Sequence, residues 1–415
     1  MVQRSDRELD VVVHGATGFA GRLVAEHLAR HAPSQVSVGL SGRSHDRLAA
    51  VRDGLGERAA GWPLLVTDSL DPTAVTELAR RAQVVASTVG PYERFGLPLT
   101  TACAAEGTDY VDLTGEVLFM RASIDANDAV AQRSGARLVH ACGFDSVPSD
   151  LGVLLLARTA ATHGLGELTD TRFVLTGARG GFSGGTVDSL RAQVDRMREG
   201  RQARRVVADP YALSPDRARE PDRTVDGTGD GPDRWGVGWD ADAGRWLAPF
   251  VMGPVNTRVV RRSNALSGWS YGRSFTYREG IGVPGRVLGG PAAAAVAAGT
   301  GALGLGMALP PTRRLLDRVL PALGSGPDEK AREAGWFAVR LHARTTTGRR
   351  LQVKVSASRD PGYTATARML GESALSLVLD RDRLPDRAGV LTPATAMGEV
   401  LVERLREAGM TLQAL

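Results

Sequence analysis

Short apolar runs alternate with stretches of helical spacing through the first third of the chain. Residues 9–14 (LDVVVH) are apolar toward both faces and stop at Gly15, which predicts a buried parallel strand. Residues 19–30 then place apolar side chains at helical intervals. Further strands are predicted over 36–41, 64–67, 84–89, 109–113 and 137–142, with helices over 74–81, 97–106 and 124–134 between them. Alternation at this pace makes βαβ units, and right-handed βαβ units stack into one parallel sheet.

Residues 148–161 (PSDLGVLLLARTAA) predict a strong amphipathic helix. Ser149 and Asp150 fall in its first turn, where the helix dipole favours oxygen acceptors. It is expected to lead into a second domain. There 171–176 reads as a strand and 186–199 as a helix after a glycine-rich turn. Residues 209–246, rich in Pro, Gly, Asp and Arg, read as a long surface loop. Alternation at 338–345 and 351–357, around Thr347-Gly348-Arg349, predicts an antiparallel hairpin. Helices follow at 363–379 and 393–408. The expected fold class is α/β: an N-terminal Rossmann unit with a doubly wound parallel sheet, then a second α/β domain with a mixed or antiparallel sheet. The expected domains are 1–148 as the parallel-sheet unit, 149–360 as a second domain for substrate and for pairing in a homodimer, and 361–415 as helices packing back on the first.

Composition adjusts this picture in three places. At 415 residues the chain exceeds the usual size of one hydrophobic core, so two domains fit, and 43% hydrophobic with 23% charged residues is globular. The net charge of +5 does not read as a nucleic-acid groove, because its arginines are spread along the chain and interleaved with acids. Only Lys330 and Lys354 are lysines, and the densest basic run, Arg196 to Arg205, reads as one charged helix face and its end. Two cysteines, Cys103 and Cys142, make no disulfide framework, and no Cys/His spacing suggests a metal site. The first ten residues lack an apolar signal core, so a reducing cytoplasm is the expected compartment. Residues 292–309 (AAAAVAAGTGALGLGMAL) carry no charge over a near-membrane length. A spanning helix, a peripheral lipid-facing surface and a buried Ala/Gly segment all remain open there, and the scarcity of Leu and Val favours the buried one.

The sequence Gly15-Ala16-Thr17-Gly18-Phe19-Ala20-Gly21 lies between the first predicted strand and the first helix. In that position Gly15 permits a tight turn, Gly18 lets backbone approach a pyrophosphate, and Gly21 permits close helix–strand packing. The helix amides then face phosphate. An NAD site would carry Asp or Glu at the end of the second strand. This chain has Ser41, Arg43 and Ser44 there, a cation and two hydroxyls suited to a 2′-phosphate, so NADPH is the expected cofactor. Asp68, after the third strand, is a candidate acceptor for the adenine amino group or a helix cap. Val89, Gly90 and Pro91 close the fourth strand and are expected against the nicotinamide half.

The glycine motif, Gly42-Arg43, Val89-Gly90-Pro91-Tyr92, Tyr110 through Glu116, Cys142 through Asp150 and Ser183-Gly184-Gly185-Thr186 together resemble the saccharopine dehydrogenase-like oxidoreductases. Within them the chain looks most like the actinobacterial trans-acting enoyl reductases, which serve polyketide synthases in lipid assembly. The resemblance implies NADPH reduction of an α,β-unsaturated acyl thioester, with a synthase acyl carrier as partner. A saccharopine-type amino-acid dehydrogenase and a non-catalytic NADPH-binding, lipid-associated protein are the other readings. Enoyl reduction needs donors near the thioester oxygen and a proton for the α-carbon. Candidates are Tyr92, beside Gly90-Pro91; Asp145 and Ser146, on the turn before the bridging helix; and Thr186, at a helix start after Gly184-Gly185. Each has a plain alternative: ring packing for Tyr92, turn or cap duty for the others. Cys142 reads as a small buried residue and His140 as a core histidine, while Asp112 and Glu116 either shape the crevice or pair with arginines.

Overall fold

The computed structural model describes residues 6–180, 184–220, 236–308, 311–313 and 326–415. Ser183, Leu309 and the centre of the expected 209–246 loop lie outside them.

The first sheet holds β1 (Leu9–His14), β2 (Val38–Gly42), β3 (Leu64–Val66), β4 (Ala82–Ser87), β5 (Asp109–Asp112) and β6 (Arg137–Val139). Its helices are α1 (Phe19–His31), α2 (His45–Gly54), α3 (Pro72–Arg81), α4 (Tyr92–Glu106) and α5 (Val117–Ser134). The second region holds α6 (Val147–Thr162), β7 (Leu168–Arg179), α7 (Gly184–Glu199), α8 (Arg201–Ala208), β8 (Gly238–Asp240), β9 (Arg245–Pro249), α9 (Gly253–Leu266), β10 (Thr276–Val283), α10 (Gly289–Ala308), β11 (Trp336–Thr345) and β12 (Arg350–Ala357). The C-terminal part adds α11 (Thr366–Leu379), β13 (Gly389–Leu391), α12 (Gly398–Glu407) and β14 (Thr411–Ala414).

The first sheet runs β13-β6-β5-β4-β1-β2-β3 with every pairing parallel. Val11, Val12 and Val13 are fully buried because helices cover both faces of a parallel sheet. Strand order reverses between β1 and β4, which opens a crevice beyond their C-terminal ends. The second sheet runs β14-β12-β11-β7-β10-β9-β8. It is mixed: β10 pairs parallel with β7 and the other pairs are antiparallel.

The C-terminal segment belongs to both sheets. α11 packs on α1, where His27 Nε2 lies 2.8 Å from Glu372 Oε1. β13 forms the edge of the first sheet against β6, and β14 the edge of the second against β12.

Several elements differ from the sequence expectation. The expected 209–246 loop includes β8 and the start of β9, an antiparallel hairpin in which Trp239 faces Trp246. The strand expected to reach residue 142 ends at Val139, because Ala141 adopts φ +61° and its amide donates to Asp112. The α4 helix begins at Tyr92 rather than 97, since Glu116 supplies its missing cap from another loop. α9 was not expected at all. Its Arg258, Arg261 and Arg262 are buried, and their guanidinium groups donate to backbone carbonyls of Val207, Pro210, Tyr277, Leu213 and Val390.

Residues 292–308 fall within α10, and the expected burial fails there. Only 17% of its apolar window is buried, and Val287, Leu288 and Leu305 are exposed. Gly289 and Gly290 cross the Trp246 indole; the rest of the helix keeps one Ala/Gly face bare. Among the described residues it is the one helix long and apolar enough to cross a membrane.

Candidate functional site

The glycine turn after β1 is a cradle that side chains would fill. Gly15 has φ +87°, and a Cβ there would come within 2.7 Å of Val89 Cγ2. A Cβ on Gly21 would lie 2.2 Å from the Gly15 carbonyl oxygen. The amides of Gly15 and Ala16 both donate to the Ser41 carbonyl, which holds the turn against β2. No side chain caps α1 at Gly18, so its first amides are available to an anion. Thr17 and Ala20 are half-buried beside it. The Phe19 ring turns away and packs edge-on against Tyr363, at 4.6 Å between centroids.

At the end of β2, Arg43 is exposed and has no acidic partner among the described residues. Ser44 caps α2, accepting from the Arg47 amide. Ser41 departs from its expected role as a phosphate donor. It is fully buried, and its hydroxyl is 2.9 Å from His14 Nδ1, whose Nε2 is 2.8 Å from the Ser69 hydroxyl. Burial lowers the His14 pKa to about 4, so the ring is neutral and ties β1, β2 and the following turn together. Asp68 is exposed and accepts from the Leu70 amide; Asp71, not Asp68, caps α3. These residues fit a dinucleotide with an extra phosphate near Arg43.

The loops after β4, β5 and β6 wall the other half of the crevice. Thr88 to Pro91 are half-buried there. The Tyr92 hydroxyl donates to the Ser87 carbonyl at 3.0 Å and accepts from the Leu113 amide at 3.2 Å. Its one proton is thus committed to the protein, which removes Tyr92 from the donor candidates and leaves it as a clamp between β4 and β5. Glu116 accepts from the Tyr92 and Glu93 amides and from Ser189 of α7. Burial raises its pKa against those bonds. Asp112 accepts from the Ala141 and Thr114 amides and lies 2.7 Å from His140 Nδ1. Neither Asp112 nor Glu116 is bonded to an arginine in these contacts.

Asp145 is the titratable group left over. Its carboxylate stands 3.8 Å from where a Gly115 Cβ would be, beside Met252. Burial raises its pKa to about 6, a value suited to proton transfer near neutral pH. Ser146 is fully buried, and its hydroxyl donates to Asn256 Oδ1 of α9. Asn256 Nδ2 in turn donates to Glu279, which also accepts from Ser149 and Tyr277. That network was invisible in the sequence, because its members lie on α6, α9 and β10. Thr186 lies in the first turn of α7, which begins at Gly184; its side chain is outside the described residues. Cys142 and Cys103 are buried free thiols with pKa pushed up by burial.

The family description "Saccharopine dehydrogenase NADP binding domain" matches residues 11–139, from within β1 to the end of β6. A Mycobacterium tuberculosis protein, provisionally named a trans-acting enoyl reductase, is 50% identical and covers 98% of this chain and 97% of its own. The chain belongs to the trans-acting enoyl reductase family. Other trans-acting enoyl reductases, from Mycobacterium ulcerans and Mycobacterium bovis, are each 46% identical and cover 99% and 98% of this chain, and 98% of their own in both cases. The enoyl reductase chain described here shares its fold with apo saccharopine dehydrogenase from Saccharomyces cerevisiae, at TM-score 0.54 and 13% identity over 98% of this chain and 99% of that one. The relatives and the matched NADP-binding domain make it an NADP-binding oxidoreductase, and its fold is that of saccharopine dehydrogenase.

Proposed function

We propose that this protein reduces an α,β-unsaturated acyl thioester at the expense of NADPH, acting on a chain carried by a separate polyketide synthase. The observation that carries the reading is 46–50% identity over nearly the full length to proteins named trans-acting enoyl reductases. NADPH, when bound, supplies the hydride for the β-carbon. Gly15, Ala16, Thr17, Gly18 and Gly21 shape the pyrophosphate cradle, Arg43 and Ser44 meet the 2′-phosphate, and Val89, Gly90 and Pro91 border the nicotinamide half. Asp145 delivers a proton to the α-carbon, which completes addition of two hydrogens across the double bond. Thr186 stands as a second donor, for the thioester oxygen.

The amino-acid dehydrogenase alternative needs arginines to grip substrate carboxylates. All six buried arginines among the described residues are already engaged. Arg7 and Arg137 donate to backbone carbonyls, Arg172 pairs with Asp170, Asp240 and Asp242, and the three of α9 hold carbonyls. This favours the enoyl reading. NADPH absorbance with a short enoyl thioester, beside the saturated thioester, tests it. Oxidation that needs the double bond supports it. NADPH binding without oxidation of any enoyl or imino substrate would leave the non-catalytic reading.

The bare face of α10 supports contact of a cytoplasmic protein with a lipid surface. Arg286 flanks exposed Val287 and Leu288 and lies 5.8 Å from the centre of the Trp239 ring, a mixture of cation, indole and aliphatic groups suited to a bilayer interface. Flotation with vesicles checks this; Val287→Asp/Leu288→Asp should abolish it.

A further inference from the structure

The run Arg196 to Arg205 resolves into two populations of arginine. Arg196 on α7 pairs with Glu93 of α4 at 2.9 Å. Arg198, Arg201, Arg204 and Arg205 are exposed, and none of them forms an ion pair among the described residues. The last three share the outer face of α8 at i, i+3 and i+4. Like charges so placed repel one another, so the helix is held by its other face. Val206 packs on the core there, and Arg258 Nη2 donates to the Val207 carbonyl at 2.6 Å. Neighbouring acids offer no relief. Asp195 is taken by Arg313, Asp209 by Arg217 and Asp125 by Arg121.

The position of this patch relative to the crevice gives it meaning. α7 begins at the crevice, where Ser189 donates to Glu116 at 2.6 Å, directly over the α4 amides. Further along, Arg196 pairs with Glu93 at the N-terminal turn of α4. At the helical rise per residue, Arg198 lies about 14 Å along the axis from Ser189. That span is comparable to an extended phosphopantetheine arm.

We propose that the Arg198–Arg205 face docks an acidic carrier domain, which presents its acyl chain on a phosphopantetheine arm running along α7 into the crevice. The inference rests on the enoyl-thioester reading above. Complementary charge at such a rim sets encounter rate and salt dependence more than the chemical step. A lone arm carrying the same acyl group gains nothing from the patch.

The test uses the full chain and an isolated carrier domain loaded with an enoyl group, beside the same enoyl group on N-acetylcysteamine. Arg201→Glu/Arg204→Glu/Arg205→Glu is expected to lower kcat/KM for the carrier-bound substrate at least about tenfold and to flatten its dependence on salt. Activity on the N-acetylcysteamine thioester stays within about twofold. Equal activity of native and variant protein on the carrier-bound substrate, or parallel loss on both substrates, overturns the proposal. Arg204→Gln, a milder change, should give a smaller loss in the same direction, with an unchanged melting curve. Binding of the carrier domain followed by fluorescence anisotropy separates docking from chemistry. Native binding that the triple variant loses supports docking even if no thioester is reduced, in which case the enoyl reading alone fails. No binding by the native protein, or variant binding lost only toward DNA or anionic vesicles, overturns the docking site.

Discussion

The Ser189 hydroxyl donates to Glu116 Oε1 at 2.6 Å, and the same carboxylate caps the amides that start α4. One buried acid therefore joins the helix that leaves the second domain to the wall of the cofactor crevice. Glu116→Gln turns an acceptor toward donors and should destabilise the fold by about 1–3 kcal/mol, read by chemical denaturation. Ser189→Ala should leave α4 capped but expose α7 to faster proteolysis. Equal protease resistance in native and Ser189→Ala protein would argue against this tie.

On the proposed reading, Arg43 meets the 2′-phosphate of the cofactor. Arg43→Ala should weaken NADPH binding about ten- to a hundredfold and leave NADH binding nearly unchanged, because only NADPH carries the second charge. Titration of cofactor fluorescence reads both. Equal losses would remove Arg43 from the assignment.

Two glycines should respond in opposite directions. Gly21→Ala drives a Cβ to 2.2 Å from the Gly15 carbonyl oxygen, so the helix or the turn must move. A loss of about 1–3 kcal/mol with weaker NADPH binding is expected. Gly54, at the end of α2, has open space around its Cβ position. Gly54→Ala should be neutral or stabilise by up to about 1 kcal/mol. Thermal melts of the two variants side by side decide the matter.

If Asp145 donates the proton, it must hold one. Burial raises its pKa to about 6, so the chemical step should slow as pH rises through that value. Asp145→Asn should lower kcat by about 10²–10⁴ and erase that limb of the pH profile. A limb that persists in the variant would assign the proton to another group.

Asp150 is fully buried; its carboxylate accepts from the Ala394 amide and from Ser263, yet burial raises its pKa from 3.8 to about 6. The folded state therefore binds the proton more tightly than the unfolded state. The stability so gained is fully present below pH 3.8 and is lost as pH rises through about 6. The stability of native protein relative to Asp150→Asn should fall by about 3 kcal/mol between pH 3.5 and 7, measured by urea denaturation. A pH-independent difference would contradict it.

Much of the first sheet was legible along the chain. Parallel strands buried on both faces read as unbroken apolar runs, and Gly15, Gly18 and Gly21 mark a turn by local geometry alone. The crevice chemistry was legible only in part. Asp145 kept a place as a candidate, while the proton of Tyr92 proved to be held by Ser87 and the Ser41 hydroxyl by His14. No spacing in sequence distinguishes a free hydroxyl from one already bonded within the fold, whether to Ser87 on the strand just before it or to His14 on a neighbouring strand.

Local pattern marked the strands of the first sheet, most of its helices and the glycine turn after β1, because periodicity and glycine placement act within a few residues. Tertiary structure alone decided the rest. It placed β13 and β14 from the chain end into two different sheets, buried three arginines of α9 against carbonyls, left α10 bare, and gave α4 its cap from Glu116. Each of these depends on a partner distant in sequence. The free energy of burying a charge or an apolar face is set by that partner, not by the residue itself.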